Sequence, residues 1–336
     1  MFSTSCLENQ HMEVAGYRFK RSDLRIGDRQ PGISAFMRIR NGEDFLELTI
    51  RSHIEYFDEI VAVHNQCTDS TAEILMRLQS EFGAEKLRIF HYVDRVFPPG
   101  SDDHSRTPAD SPSSLVNYYN FALAATRFTH ATKLDDDHLA IPSVLQRVTD
   151  EIRNPTTRRQ RMLCFSGLNL FPTPNELSLC RRDPISGGGD IGFFRVTDET
   201  YFTRDRRFEK FHRGGIPRHF AGYLYWHLKY LKPEMGFANY ELQNYQSSRY
   251  AQRKYRLLAD EFPTIQLREL ANKKRRPTLS GLKSLFSEKQ SLLCKRDQAI
   301  GETFPFDTCD DALRNTVSPQ MLNLFYETLR SHSQRG

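Results

Sequence analysis

No run of apolar residues in this 336-residue chain approaches the length of a membrane span, and no apolar core of the kind that directs secretion lies near its first residues. The six cysteines (Cys6, Cys67, Cys164, Cys180, Cys294 and Cys309) stand far apart, with no Cys-x-x-Cys pair and no zinc-ligand spacing. A disulfide scaffold and a structural zinc module are thereby excluded, and a reducing compartment is the expectation. There is one tryptophan, no internal repeat, and no large excess of either charge: 47 Lys+Arg against 42 Asp+Glu leave +5. That balance suits anionic partners without the dense basic surface of a nucleic-acid binder, so no nucleic-acid partner is expected. These absences together lead to the expectation of a cytoplasmic protein.

Enough apolar residues are present, 38% of the chain, for a full α/β core. Residues 1–32 are polar and broken, with one short strand expected at Val14–Phe19, and Gly27 and Pro31-Gly32 punctuate the entry to the core. Ile33–Ile39, Ile60–His64 and Leu87–Val93 read as buried strands, and Glu43–Tyr56 and Thr71–Phe82 as helices with one apolar side. This βαβαβ opening requires a parallel sheet wrapped by helices, with its ligand site at the carboxyl ends of the strands. Asp94–Ser114, rich in proline, serine and aspartate, breaks the rhythm and reads either as a functional lid or as an insertion. A helix from Leu115 to Phe128, another from Ser143 to Ile152, a basic turn at Arg158–Arg161 and a strand at Met162–Leu170 follow.

Beyond Tyr240 the texture changes to longer polar helices. Lys273-Lys274-Arg275-Arg276-Pro277 precedes leucines at helical spacing up to Leu293. An ordinary amphipathic helix with a solvated basic end is the plainer expectation. The alternative is a surface helix resting on anionic lipid, which would put the protein at the periphery of the inner membrane face.

The most charged short stretch is Lys133-Leu134-Asp135-Asp136-Asp137-His138, after a β-prone run from Thr126. If the strand persists, Asp135 and Asp137 project to one face, where two carboxylates repel unless a cation joins them; hard oxygen ligands suit Mg²⁺ or Mn²⁺. The other reading is a helix N-terminus, with the acids favouring the dipole ahead of Ile141-Pro142.

In the order of these pieces the chain resembles the GT-A nucleotide-sugar glycosyltransferases, in particular the family 2-like enzymes of bacterial surface-glycan assembly. Ile33–Asn41 resembles that family's first strand, and Asn65-Gln66-Cys67-Thr68-Asp69-Ser70-Thr71 its Asp-Gly-Ser-Thr-Asp-Gly-Thr turn. Asn120 and Leu134–Asp137 resemble its helix asparagine and Asp-x-Asp element, and Gly188-Gly189-Asp190 its glycine-rich segment ending in acids. The sequence departs from the pattern at His64-Asn65, where the family has an acid, at Cys67, and at a single Asp190 in place of Glu-Asp.

The resemblance implies a GT-A-like α/β fold, a mostly parallel Rossmann-like sheet flanked by helices, with a helical C-terminal appendage. The divisions expected are an N-terminal extension (1–32), a nucleotide-sugar-binding and catalytic domain (33–240) and a helical region (241–336). It implies a metal-dependent, inverting transfer of a sugar from a nucleotide-sugar donor to a glycan or lipid-linked acceptor, in polysaccharide, lipopolysaccharide or capsule biosynthesis. Asp137 becomes a metal ligand, with Asp135 reaching the ribose or a metal-bound water, and His227 resembles a late histidine brought to Mn²⁺ or Mg²⁺. Lys229 would hold the diphosphate, Asn65 would contact the base through its amide, and Asp190 would be the catalytic base.

Other positions carry two readings each. Arg38 and Arg40 either meet the nucleotide or pair with Glu43 or Asp44. Asp69 either touches the ligand or caps the helix opening at Thr71. His91 is either a structural histidine or a ligand. His227 either reaches the metal or packs on a helix face with Leu224, Leu228 and Leu231, and Trp226 is a sugar platform or a core residue. The rival functions are a metal-dependent nucleotidyltransferase or nucleotide-sugar hydrolase, and a non-catalytic binding subunit of a glycan-assembly complex.

Overall fold

The structure, a computed structural model, describes residues 12–99, 101–154, 161–189, 192–204, 209–240, 242, 248–260, 263–275 and 287–333. Asp190, most of the Arg158–Arg161 turn and the stretch 276–286 that holds most of the expected amphipathic leucines lie outside these residues.

The first half is a run of strands and helices: β1 (Met12–Val14), β2 (Gln30–Ile39), α1 (Leu46–His53), β3 (Glu59–His64), α2 (Thr71–Phe82), β4 (Leu87–Tyr92), α3 (Asp102–Arg106), α4 (Leu115–Ala124) and β5 (Phe128–Lys133). Then come β6 (His138–Ala140), α5 (Pro142–Arg153), β7 (Met162–Pro172), β8 (Leu177–Cys180), β9 (Ile185–Ser186), β10 (Gly192–Arg195), β11 (Thr200–Arg204), β12 (Glu209–Arg213) and β13 (Arg218–His227). The C-terminal part holds α6 (Arg249–Leu258), β14 (Thr264–Ile265), α7 (Leu267–Arg275), α8 (Glu288–Thr303), α9 (Cys309–Thr316) and α10 (Pro319–Ser333).

The expected α/β architecture is present: helices flank a large sheet and the C-terminal part is helical. Its first five strands, in the order β1-β4-β3-β2-β5, are all parallel, so their carboxyl ends share one edge. Beyond β5 the sheet continues through β10, β7, β13 and β6 with antiparallel pairings, except that β13 runs parallel to β7. β11 and β12 form a separate ribbon. β6 is an edge strand whose outer amides are covered: Thr49 Oγ1 of α1 accepts from His138 N–H at 3.1 Å, and Ser52 Oγ from Ala140 N–H at 3.3 Å. Helices α7, α9 and α10 close one apolar cluster against β7 and β13, around the buried Trp226.

Several expectations need correcting. The first strand stops at Val14, because Gly16 (φ +67°) turns the chain away. The strand entering the acidic run ends at Lys133, so alternation along a strand does not pair Asp135 with Asp137; Asp136 and Asp137 form a turn. Leu224 and Leu228 lie on and just after β13 rather than on a helix, since this segment is hydrogen-bonded to β7 on one side and β6 on the other. The 94–114 loop contains the short α3, and the Arg204 guanidinium pins it by donating to the carbonyls of His104, Ser105 and Thr107.

His53 of α1 is buried, and burial lowers its pKa to about 4. The unfolded chain therefore binds a proton that the folded chain excludes, and this residue's contribution is lost as pH falls from about 6.5 toward 4. Denaturant unfolding at pH 7.5 and 5.0 should show a loss of about 2 kcal/mol from this residue, and His53→Gln should remove that part of the difference.

Candidate functional site

Where the parallel strands end, a cleft of about 340 Å³ opens between the end of β2, the acidic turn and the segment after β13. Asp135, Asp136 and Asp137 line it because Leu134 N–H donates to the carbonyl of Phe36, which carries the chain across the end of β2 before it turns. Gly42 lets the turn approach: a Cβ there would stand 2.6 Å from an Asp136 carboxylate oxygen.

Three groups converge in the wall. One ligand atom each of Asp137, His138 and His227 lies within 4.8 Å of the others. His227 Nε2 is 3.2 Å from Asp137 Oδ1. Its other nitrogen, Nδ1, is 2.5 Å from Asn169 Oδ1, and the Asn169 amide is oriented by donating to the Asp183 carbonyl at 2.6 Å. Asn169 Oδ1 accepts from Nδ1–H, which fixes the ring and turns Nε2 toward the carboxylate. Among the described residues, neither Asp137 Oδ1 nor His138 Nε2, both buried, has a hydrogen-bond partner. His138 stacks on Tyr225 with ring centroids 3.6 Å apart. Burial first, and the neighbouring His227 second, hold its pKa well below the usual value, so the ring is neutral. Two imidazoles and a carboxylate facing one another suit a borderline divalent cation.

Lys232 supplies charge to the other side of the turn, its Nζ 3.0 Å from Asp136 Oδ2 and 3.2 Å from Asp137 Oδ2. Burial opposes ionisation of Asp137, but Lys232 foremost outweighs it and holds the carboxyl well below its usual pKa. Burial pushes Asp136 up to about 6. Lys229 stands above a cage of rings, 4.5 Å from the Phe237 centroid and 5.5 Å from that of Tyr240, and burial lowers its pKa to about 8.

Of the expected site residues, Arg38, Arg40, Asn65, Asp135, Asp137, His227 and Lys229 line this cleft. Arg38 pairs with Asp135 at 3.8 Å and lies 3.2 Å over the Tyr119 ring. Asp135 is engaged by Lys133 at 2.9 Å, and the group beside Asp137 and His227 is His138, whose place next to the triplet was its only sequence signal. Asn65 holds the following loop, donating to the Tyr92 and Asp94 carbonyls and accepting from Val96 N–H.

Three residues are not brought to the cleft wall. Asn120 is buried, and its amide exchanges two hydrogen bonds with the Phe202 backbone. Asp69 accepts from Thr71 N–H at the start of α2 and from Glu43 N–H, which is the capping reading. His91 stacks on His64 and pairs with Glu13 at 3.5 Å on the sheet. Lys232, Asn169, Tyr119 and Glu209 had no local sequence signal, because each reaches its partner across the fold.

No protein-family model matches the chain, and no curated protein sequence does. Among solved structures, glucosyl-3-phosphoglycerate synthase from Mycobacterium tuberculosis in complex with Mn²⁺, UDP and phosphoglyceric acid is 14% identical, with 47% of this chain and 51% of that chain covered and a TM-score of 0.27. The same enzyme with Mg²⁺ and UDP gives 14% identity, 46% and 50% coverage, and a TM-score of 0.27. The chain spans about half the length of these structures.

The stacked pair of Tyr225 and His138 depends on Gly167, where a Cβ would come within 2.2 Å of the Tyr225 ring. Gly167→Ala should cost about 1–3 kcal/mol in denaturant unfolding through this overlap, and adding Tyr225→Leu should recover part of the loss.

Proposed function

We propose that the chain is a metal-dependent glycosyltransferase that moves a sugar from a nucleotide-sugar donor to a glycan or lipid-linked acceptor. The carrying observation is the convergence of Asp137, His138 and His227 at the carboxyl edge of a parallel sheet, where Asp137 Oδ1 and His138 Nε2 are buried without a hydrogen-bond partner among the described residues and Lys229 and Lys232 line the same cleft. The resemblance of the acidic turn and its neighbours to the GT-A pattern agrees with it, and in this reading residues 33–240 form the catalytic domain and 241–336 a helical region.

Asp137, His138 and His227 would hold Mn²⁺ or Mg²⁺. When bound, the cation supplies positive charge where the leaving diphosphate gains it. In the transfer, the acceptor oxygen bonds to the anomeric carbon, the bond from that carbon to the diphosphate breaks with its electron pair, and the acceptor hydroxyl proton passes to a base. Lys229 binds the departing diphosphate by charge, Lys232 holds the acidic turn, and Arg38 with Asp135 shapes the nucleotide side. Tyr119 keeps Arg38 in place under its ring, and the apolar loop residues Val96–Pro99 exclude water from the donor. Asp190 remains the sequence's choice of base, in a single displacement with inversion, and the setting would be polysaccharide, lipopolysaccharide or capsule biosynthesis.

A thermal-shift screen of UDP-, GDP- and dTDP-sugars with and without Mn²⁺ tests the reading, since ligand bound to the folded state raises the midpoint by mass action. At least one donor should raise the midpoint only with Mn²⁺. Asp137→Asn should abolish that rise, and Asn169→Ala should weaken Mn²⁺ binding by roughly 10–100-fold through loss of the His227 orientation. A donor that binds equally well without the cation, or to Asp137→Asn, would refute the assignment. Sugar released only into water would favour a hydrolase.

A further inference from the structure

A second cavity, of about 680 Å³, adjoins the first. The two share three wall residues: Tyr119, Lys133 and Glu209. Glu209 opens the β12 strand, and Tyr119 O–H donates to its Oε1 at 3.3 Å; its Oε2 is buried and, among the described residues, accepts no hydrogen bond. Arg38 links this wall back to the acidic turn, because its guanidinium covers the Tyr119 ring and pairs with Asp135. A buried carboxylate oxygen with no donor is costly unless a ligand supplies one.

The rest of the cavity has two textures. Phe194, Phe202 and Phe211 make an aromatic floor. The mouth carries Lys210, Arg213, Arg218 and Lys289. Glu288 engages both arginines, at 2.8 Å from Arg213 and 3.1 Å from Arg218. The lysines are exposed and, among the described residues, have no ion-pair partner, so one carboxylate answers four cations.

We infer that this second cavity is the acceptor site and that the acceptor is a hydroxyl compound carrying an anionic group, a phosphate ester. The hydroxyl donates to Glu209 Oε2 at the wall next to the donor cleft, the carbon skeleton lies on the phenylalanine floor, and the phosphate sits at the mouth near Lys210 and Lys289. The inference rests on the donor reading of the first cleft. The phosphate belongs either to a soluble compound or to a lipid headgroup, both of which present the same charge to the same lysines.

The test uses the full chain and glycerol 3-phosphate as probe, followed by saturation-transfer NMR, with glycerol and methyl phosphate for comparison. Glycerol 3-phosphate should bind more tightly than either comparison compound. Lys210→Gln with Lys289→Gln should weaken it at least fivefold, whereas Asp137→Asn should leave it unchanged. Glu209→Leu should erase the preference for glycerol 3-phosphate over methyl phosphate. Melting temperatures close to that of the wild type establish that the lysine pair and Asp137→Asn remain folded. Unchanged affinity in the lysine double variant overturns the site, as does a loss in Asp137→Asn equal to that in the lysine variant, which would put the phosphate in the first cleft. Co-sedimentation with phosphatidic acid vesicles, but not pure phosphatidylcholine vesicles, that fails in the lysine variant supports the site with a lipid headgroup as the source; probe binding without such sedimentation supports it with a soluble one. Failure of the donor reading shows separately, as no Mn²⁺-dependent shift with any nucleotide sugar while the probe still binds.

Discussion

The ammonium of Lys232, partly buried between Asp136 and Asp137, is the interaction on which the candidate site depends. Taking three charged groups from water is expensive, and an unpaired carboxylate left there would be more so. Lys232 follows the last strand of the sheet's core by only a few residues, and Leu228 N–H donates to the Asp137 carbonyl at 2.8 Å. The acidic turn and the chain leaving β13 are thus held by a charge contact and a backbone bond at once. The same lysine spends its charge on Asp136 and on only one oxygen of Asp137, leaving Oδ1 facing two imidazole nitrogens.

Much of the first half was legible in the sequence. β2, β3, α2 and β4 lie where apolar runs and helical spacing put them, and α2 spans Thr71–Phe82 as read, because Leu75 and Leu78 face the core while acids and amides face solvent. The β13 segment was not legible. A strand buried on both faces loses its alternation, and Leu224 on β13 with Leu228 and Leu231 in the turn after it then imitate helical spacing. The side-by-side stack of His138 on Tyr225 was equally out of reach, since it needs Gly167 on a neighbouring strand to leave room for the ring.

The site was half legible for a related reason. Residue type marks Asp137 and His227, but a partner role for Asp135 rests on the premise of a continuing strand. The strand ends at Lys133, so Asp135 turns to Lys133 and Arg38 instead, and the position beside the metal-type cluster falls to His138. Asn120 shows the converse: a buried asparagine in a helix marks a long-range backbone contact, here with β11, as readily as a ligand.

One feature of the topology bears on how the acidic turn is held. Leu134–Asp137 joins β5 to β6, yet β10, β7 and β13 lie between those strands in the sheet. Four strand spacings laid flat amount to roughly 19 Å. Five peptide steps, fully stretched, reach about 18 Å at most, and these contain a turn. The sheet therefore has to curl until its fifth strand and its far edge come within reach of each other. The acidic segment is a chord drawn across that arc, and the length of the chord sets the curvature. A longer linker with all three aspartates intact would let the arc relax and part Arg38 on β2 from the turn that Leu228 and Lys232 hold to the far edge.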